Sequence, residues 1–125
     1  MAKSTGSQLT ALLFGLEPSL SAELGRALAG QSVRTVAEGE VKPAEARVDI
    51  VFAPSDRDGF GAVRDAVRGT CPEAPIVVVS RVPEVSEWLD AIEAGASDYC
   101  AAPFEGTQLR WLLETNLHRC STAAA

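Results

Sequence analysis

Five short apolar runs alternate with segments of helical period along this chain, and that alternation restricts the fold to a parallel sheet covered by helices. A strand buried on both faces must be apolar almost throughout. Leu12, Leu13 and Phe14 in the run from Thr10 to Gly15, and Ile76, Val77, Val78 and Val79 in the run from Pro75 to Ser80, meet that condition. Val33 to Ala37, Val48 to Ala53 and Ser97 to Ala101 supply the other three strands. With right-handed crossovers the expectation is an α/β chain with a doubly wound five-stranded parallel sheet, (βα)5, whose ligands would meet it at the carboxyl ends of the strands.

The intervening segments are read as helices from their spacing. Leu20, Leu24 and Leu28 share one face behind Pro18, and Gly30 is expected to end that helix in a left-handed conformation. Between Glu38 and Arg47 there is room for only a short helix, with Pro43 near its start and Ala44 to Ala46 as its body. Asp58 is expected to cap a helix that turns Phe60, Val63 and Val67 to one side. Pro83 opens the next, with Val85, Leu89 and Ile92 expected inward and Gly95 closing it. Leu109, Leu112, Leu113 and Leu117 stripe the final helix, and His118 suits that helix's C-terminus.

A chain of 125 residues is the size of one domain, expected over 9–119, with 1–8 and 120–125 as flexible termini or linker. No run is apolar and long enough to span a bilayer, and Met1 to Gln8 lacks the apolar stretch of a leader, so a cytoplasmic location is expected. A formal charge of −6 argues against gripping nucleic acid. Cys71, Cys100 and Cys120 have neither disulfide-framework nor zinc spacing and read as free thiols.

The segment from Pro75 to Phe104 carries a more specific signal. Its apolar strand ends in Ser80, its helix ends in Ala91-Ile92-Glu93-Ala94-Gly95-Ala96, and Asp98-Tyr99 and Pro103-Phe104 follow. In that order and spacing it resembles the second half of response-regulator receiver domains, the CheY-like family. Glu17-Pro18 after the first strand and Asp58-Gly59 at a helix start extend the likeness over about residues 9 to 119. The resemblance implies the flavodoxin-like receiver fold and a cis Ala102-Pro103 bond.

It also implies a phosphoryl-transfer site with four parts: an acidic pair, an acceptor aspartate, a hydroxyl and a lysine. Carboxylates hold magnesium against the phosphoryl oxygens, the aspartate attacks phosphorus, and the hydroxyl and lysine contact the transferred group. Here the acidic pair falls on Gly15 and Leu16, leaving Glu17; the acceptor falls on Ala53 or Pro54; the lysine falls on Ala102. Only the hydroxyl, Ser80, remains. No catalytic residue, metal site or cofactor is therefore expected, and the domain reads as a phosphorylation-independent interaction module, a pseudo-receiver rather than an enzyme.

Two rival readings stand beside it. Asp56 could serve as an unusual acceptor, or the vacated pocket of Gly15, Leu16, Ala53, Ser80 and Ala102 could bind a flat apolar molecule. Ser80 and Tyr99 occupy the family's switch positions, where the hydroxyl moves toward the phosphoryl group and the ring turns inward. The expected interaction face, for a protein partner or a weak homodimer, comprises the helix after the fourth strand, the fifth strand and the final helix. Trp88, Ala91, Tyr99, Trp111 and Leu112 are its expected residues, with both tryptophans turned at least partly outward.

Overall fold

The computed structural model describes residues 9–37, 48–70, 74–81 and 85–124. The five apolar runs become β1 (Leu9–Leu13), β2 (Val33–Ala37), β3 (Ile50–Pro54), β4 (Ile76–Ser80) and β5 (Asp98–Ala101). They form one parallel sheet in the order β2-β1-β3-β4-β5. Helices α1 (Pro18–Ala29), α2 (Arg57–Thr70), α3 (Val85–Glu93) and α4 (Gly106–Ala124) cover it. The short helix expected between Glu38 and Arg47 lies outside the described residues.

Period-two alternation in the central strands divides the core into two layers. Ile50 and Phe52 of β3, with Val77 and Val79 of β4, pack on Leu20, Leu24 and Leu28 of α1 and on Leu109, Leu112 and Leu113 of α4. Val51 and Ala53, with Ile76 and Val78, pack instead on Phe60, Val63 and Val67 of α2 and on Ala91 of α3. Each aliphatic or phenylalanine side chain buried this completely contributes about 1.5–3 kcal/mol, which is why β3 and β4 are central and the shorter β5 is an edge.

Several local expectations are corrected. Gly30 is right-handed at φ −65°, and Ser32, at φ 62°, carries the left-handed turn that leads into β2. Asp56, not Asp58, caps α2: its carboxylate accepts the Gly59 amide at 2.7 Å and its carbonyl accepts the Phe60 amide. The stripe of α3 is turned the other way from expectation, since Val85, Leu89 and Ile92 are exposed and Ala91 is the buried residue. Ala91, Ala96 and Tyr99 fill the space under α3, so the helix sits on the sheet through a methyl group. Gly95 does end α3, at φ 116°, and the Ala102-Pro103 bond is cis.

Candidate functional site at the carboxyl end of the sheet

The carboxyl ends of β1, β3 and β4 open into a cleft of about 530 Å³. Gly15, Leu16, Glu17, Pro54 and Ser80 all line it, so the structure gathers these expected positions in one place. Ala53 and Ala102 are not among the lining residues. The Ala53 side chain is fully buried on the α2/α3 side, and the neighbouring residue, Pro54, meets the cleft by strand alternation. Ala102 packs against the α1/α4 layer while its amide donates to the Ser80 carbonyl.

The cleft contains a cation that sequence reasoning missed. Arg81, directly after β4, reaches across to α1, where its Nε donates to Glu17 Oε1 at 3.1 Å, one Nη to Glu23 Oε2 at 2.8 Å and the other to Ser19 Oγ at 2.7 Å. Ser19 Oγ in turn donates to Glu17 Oε1 at 2.8 Å. These donors hold the Glu17 carboxyl below its ordinary value, with the Ser19 hydroxyl first and Arg81 next. The Arg81 guanidinium is raised, chiefly by Glu23 and then by Glu17. All of these groups face water, so each pair is worth little alone, and the network acts mainly by positioning. It ties the segment after β4 to the start of α1.

That arrangement decides whether the cleft fits the magnesium ion implied by a receiver site. Magnesium needs oxygen ligands near octahedral geometry and takes one or two carboxylates as anchors. Gly15, Leu16 and Pro54 have no carboxylate to give, Glu17 is engaged by Arg81 and Ser19, Asp56 is engaged by the Gly59 amide, and Glu87, the third carboxylate lining the cleft, is not grouped with them as a metal cluster. Among the described residues no group of three His, Cys, Asp or Glu side chains is placed to hold a metal ion. The donor set does not fit magnesium.

Ser80 sits at the cleft, 9% exposed, at the end of β4. Tyr99 lies elsewhere, against the α2/α3 core, where its hydroxyl is buried and has no hydrogen-bond partner among the described residues. A buried hydroxyl left unsatisfied costs about 1–3 kcal/mol, so this ring position is held by packing. Of the expected interaction face, Trp88 and Trp111 are exposed, at 43% and 63%. Ala91 and Leu112 are corrected: Ala91 is the buried contact of α3, and Leu112 lies between Leu109 and Leu113 on the buried stripe of α4.

No family model matches the chain. It is 29% identical over 117 residues to the KDP operon transcriptional regulatory protein KdpE of Escherichia coli K12, covering 87% of this chain and 51% of that protein. The chain thus spans about half the length of this curated relative. Among solved structures, NtrX from Brucella abortus in complex with ADP superposes with a TM-score of 0.74 at 22% identity, covering 94% of this chain and 28% of that one. Chemotaxis protein CheY4 of Vibrio cholerae gives a TM-score of 0.71 at 16% identity over 89% of this chain and 100% of its own. The strand order and these likenesses together show that the chain has the five-stranded parallel fold of the CheY-like response-regulator receivers to which it is similar. Among the described residues no helix is long and apolar enough to cross a membrane.

Proposed function

We propose that this domain is a pseudo-receiver: a cytoplasmic, non-enzymatic signalling module that engages a protein partner, or weakly itself, without being phosphorylated. One observation carries the reading. The strand end that would present the acceptor presents Pro54, which has no nucleophile, and the carboxylate beside it is engaged by Arg81 within the chain. Two further features support it. The Tyr99 ring is packed against the α2/α3 core, and a ligand can bias two settings of it only through differential affinity for them. Trp88 and Trp111 give α3 and α4 exposed aromatic surface, the side-chain type enriched at binding hot spots. Residues 9–119 would form this domain.

Intact mass after incubation with acetyl phosphate and magnesium tests the reading. The expected result is an unchanged mass for the parent and for Asp56→Asn alike. A phosphoryl adduct on the parent that disappears in Asp56→Asn would overturn it and establish the rival acceptor.

A further inference from the structure

The charged residues around the strand-end cleft are acidic apart from one. Glu17, Asp56 and Glu87 line it together with Arg81, and Glu23 reaches the same guanidinium from farther along α1. Among the described lining residues Arg81 is the only cation. Its backbone leaves the sheet at a fixed place, because Ser80, the residue before it, ends β4 opposite Ala101 and accepts the Ala102 amide at 2.9 Å. Its acceptors belong to another segment: Glu17 directly precedes α1, and Ser19 and Glu23, four residues apart, share one face of that helix. In the sheet β3 lies between β1 and β4, so this side chain joins two segments that strand pairing does not. A guanidinium presents its donors in a planar fork on three nitrogens, and each nitrogen is used on a different side chain, at 3.1, 2.8 and 2.7 Å. A lysine ammonium has no such fork.

We propose that Arg81 is a tethered cation: it supplies from within the chain the positive charge that holds Glu17 and Glu23 together, and so latches the end of β4 to α1 without a divalent ion. The inference grows from the misfit between magnesium and the donor set, and it stands whether or not the chain accepts a phosphoryl group. Tethering fixes the local concentration of the cation, so the setting of the cleft is independent of the ions in solution, and a free ion would first have to displace a group held beside its acceptors. The latch is also reversible. Arg81, Glu17 and Glu23 are 40%, 59% and 35% exposed, and a water-facing contact of this kind favours the closed form by only about two- to fivefold. Rising ionic strength screens such contacts and opens the latch.

The test uses the whole isotope-labelled chain without phosphodonor, so that its outcome is separate from that of the mass experiment. The Nε–H resonance of Arg81, assigned by its loss in Arg81→Gln, is expected to be protected from exchange with water at low salt. That protection should fall as sodium chloride rises from about 0.02 to about 1 M. Magnesium chloride or a chelator, added at matched ionic strength, should leave this resonance and the amides of Glu17, Ser19 and Glu23 unmoved. In Arg81→Gln those three amides should move at low salt to where high salt brings those of the parent, with the circular dichroism unchanged. A mutant cycle separates the latch from a general effect of charge. Arg81→Gln and Glu23→Gln should depart from additivity by about two- to fivefold in the unfolding constant, whereas Arg81→Gln should add to Glu93→Gln, which lies on α3 in the other layer. Additivity of the first pair, an Arg81 resonance that is unprotected at low salt or indifferent to salt, or magnesium-dependent shifts of the three amides would each overturn the inference, the last by putting a diffusible ion where the guanidinium is.

Discussion

Gly59 and Gly61 lie two residues apart in α2, and the structure assigns opposite signs to the same substitution at them. Alanine in place of a glycine in an open helix stabilises by about 0.5–1 kcal/mol, because glycine loses more backbone freedom on folding. At Gly61 an added Cβ meets nothing within 4 Å, so Gly61→Ala should gain that amount, roughly 2–5 °C in Tm for a domain of this size. At Gly59 an added Cβ would lie 2.7 Å from Pro54 Cγ and 2.8 and 2.9 Å from the two carboxylate oxygens of Asp56. The carboxylate can swing away, but the Gly59 amide then loses its cap, about 1 kcal/mol. The Pro54 ring has less freedom, being held in β3 opposite Val79, and such overpacking costs about 1–3 kcal/mol. Set against the helical gain, Gly59→Ala should destabilise by about 1–3 kcal/mol, placing the two variants about 2–4 kcal/mol apart. Thermal and urea unfolding followed by circular dichroism measures both. If Gly59→Ala raises Tm as Gly61→Ala does, the packing of Pro54 and Asp56 around the helix start is wrong, and with it the account of the cleft floor.

Ser32→Gly should raise stability by about 0.5–1 kcal/mol in the same assay, since Ser32 is held at φ 62° where a side chain is disfavoured. Cys100, 1% exposed, has its thiol pushed up to about 11 by burial and then by the Asp98 charge. In a Cys71→Ser, Cys120→Ser background it should resist iodoacetamide at neutral pH until the protein unfolds; rapid labelling of the folded form would contradict its burial. The sign of the accompanying pH effect follows from the raised value. Its contribution is fully present below the ordinary thiol value of 9.0 and declines as pH rises from there toward about 11, so the decline should vanish in Cys100→Ala.

Strands were legible from the sequence because burial on both faces leaves an unbroken apolar signature, as in Ile76 to Val79. Helix rotation was less so. Periodicity reveals that α3 has an apolar side but not which way it faces, and the assumption that it faces the core failed because Tyr99 and Ala96 leave room beneath the helix for only Ala91. The sequence left Ala53 and Pro54 as alternatives, since a gap can be moved by one residue; in the sheet, where one residue changes the face, Pro54 lines the cleft and Ala53 is buried. Asp56 and Asp58 both suit a helix start, and only the 2.7 Å bond to Gly59 separates them. Arg81 gave no local signal at all, because its acceptors Glu17 and Glu23 are 64 and 58 residues away in the chain.

On the proposed reading, the conformation at Gly15 bears on whether single substitutions could give this chain a phosphoryl site. At φ 74° it is in the left-handed region, where an aspartate would carry about 1–2 kcal/mol of backbone strain before it bound anything. Pro54→Asp would remove the ring against which both Gly15 and Gly59 are packed, and neither change would release Glu17 from Arg81. Neither substitution taken singly would then supply phosphoryl transfer, which needs acceptor, cation and carboxylates at once. On the proposed reading this arrangement would act as a ratchet: no single substitution offers an uphill first step toward phosphoryl transfer, and the carboxyl end of the sheet would stay open to whatever use the surface around it acquires.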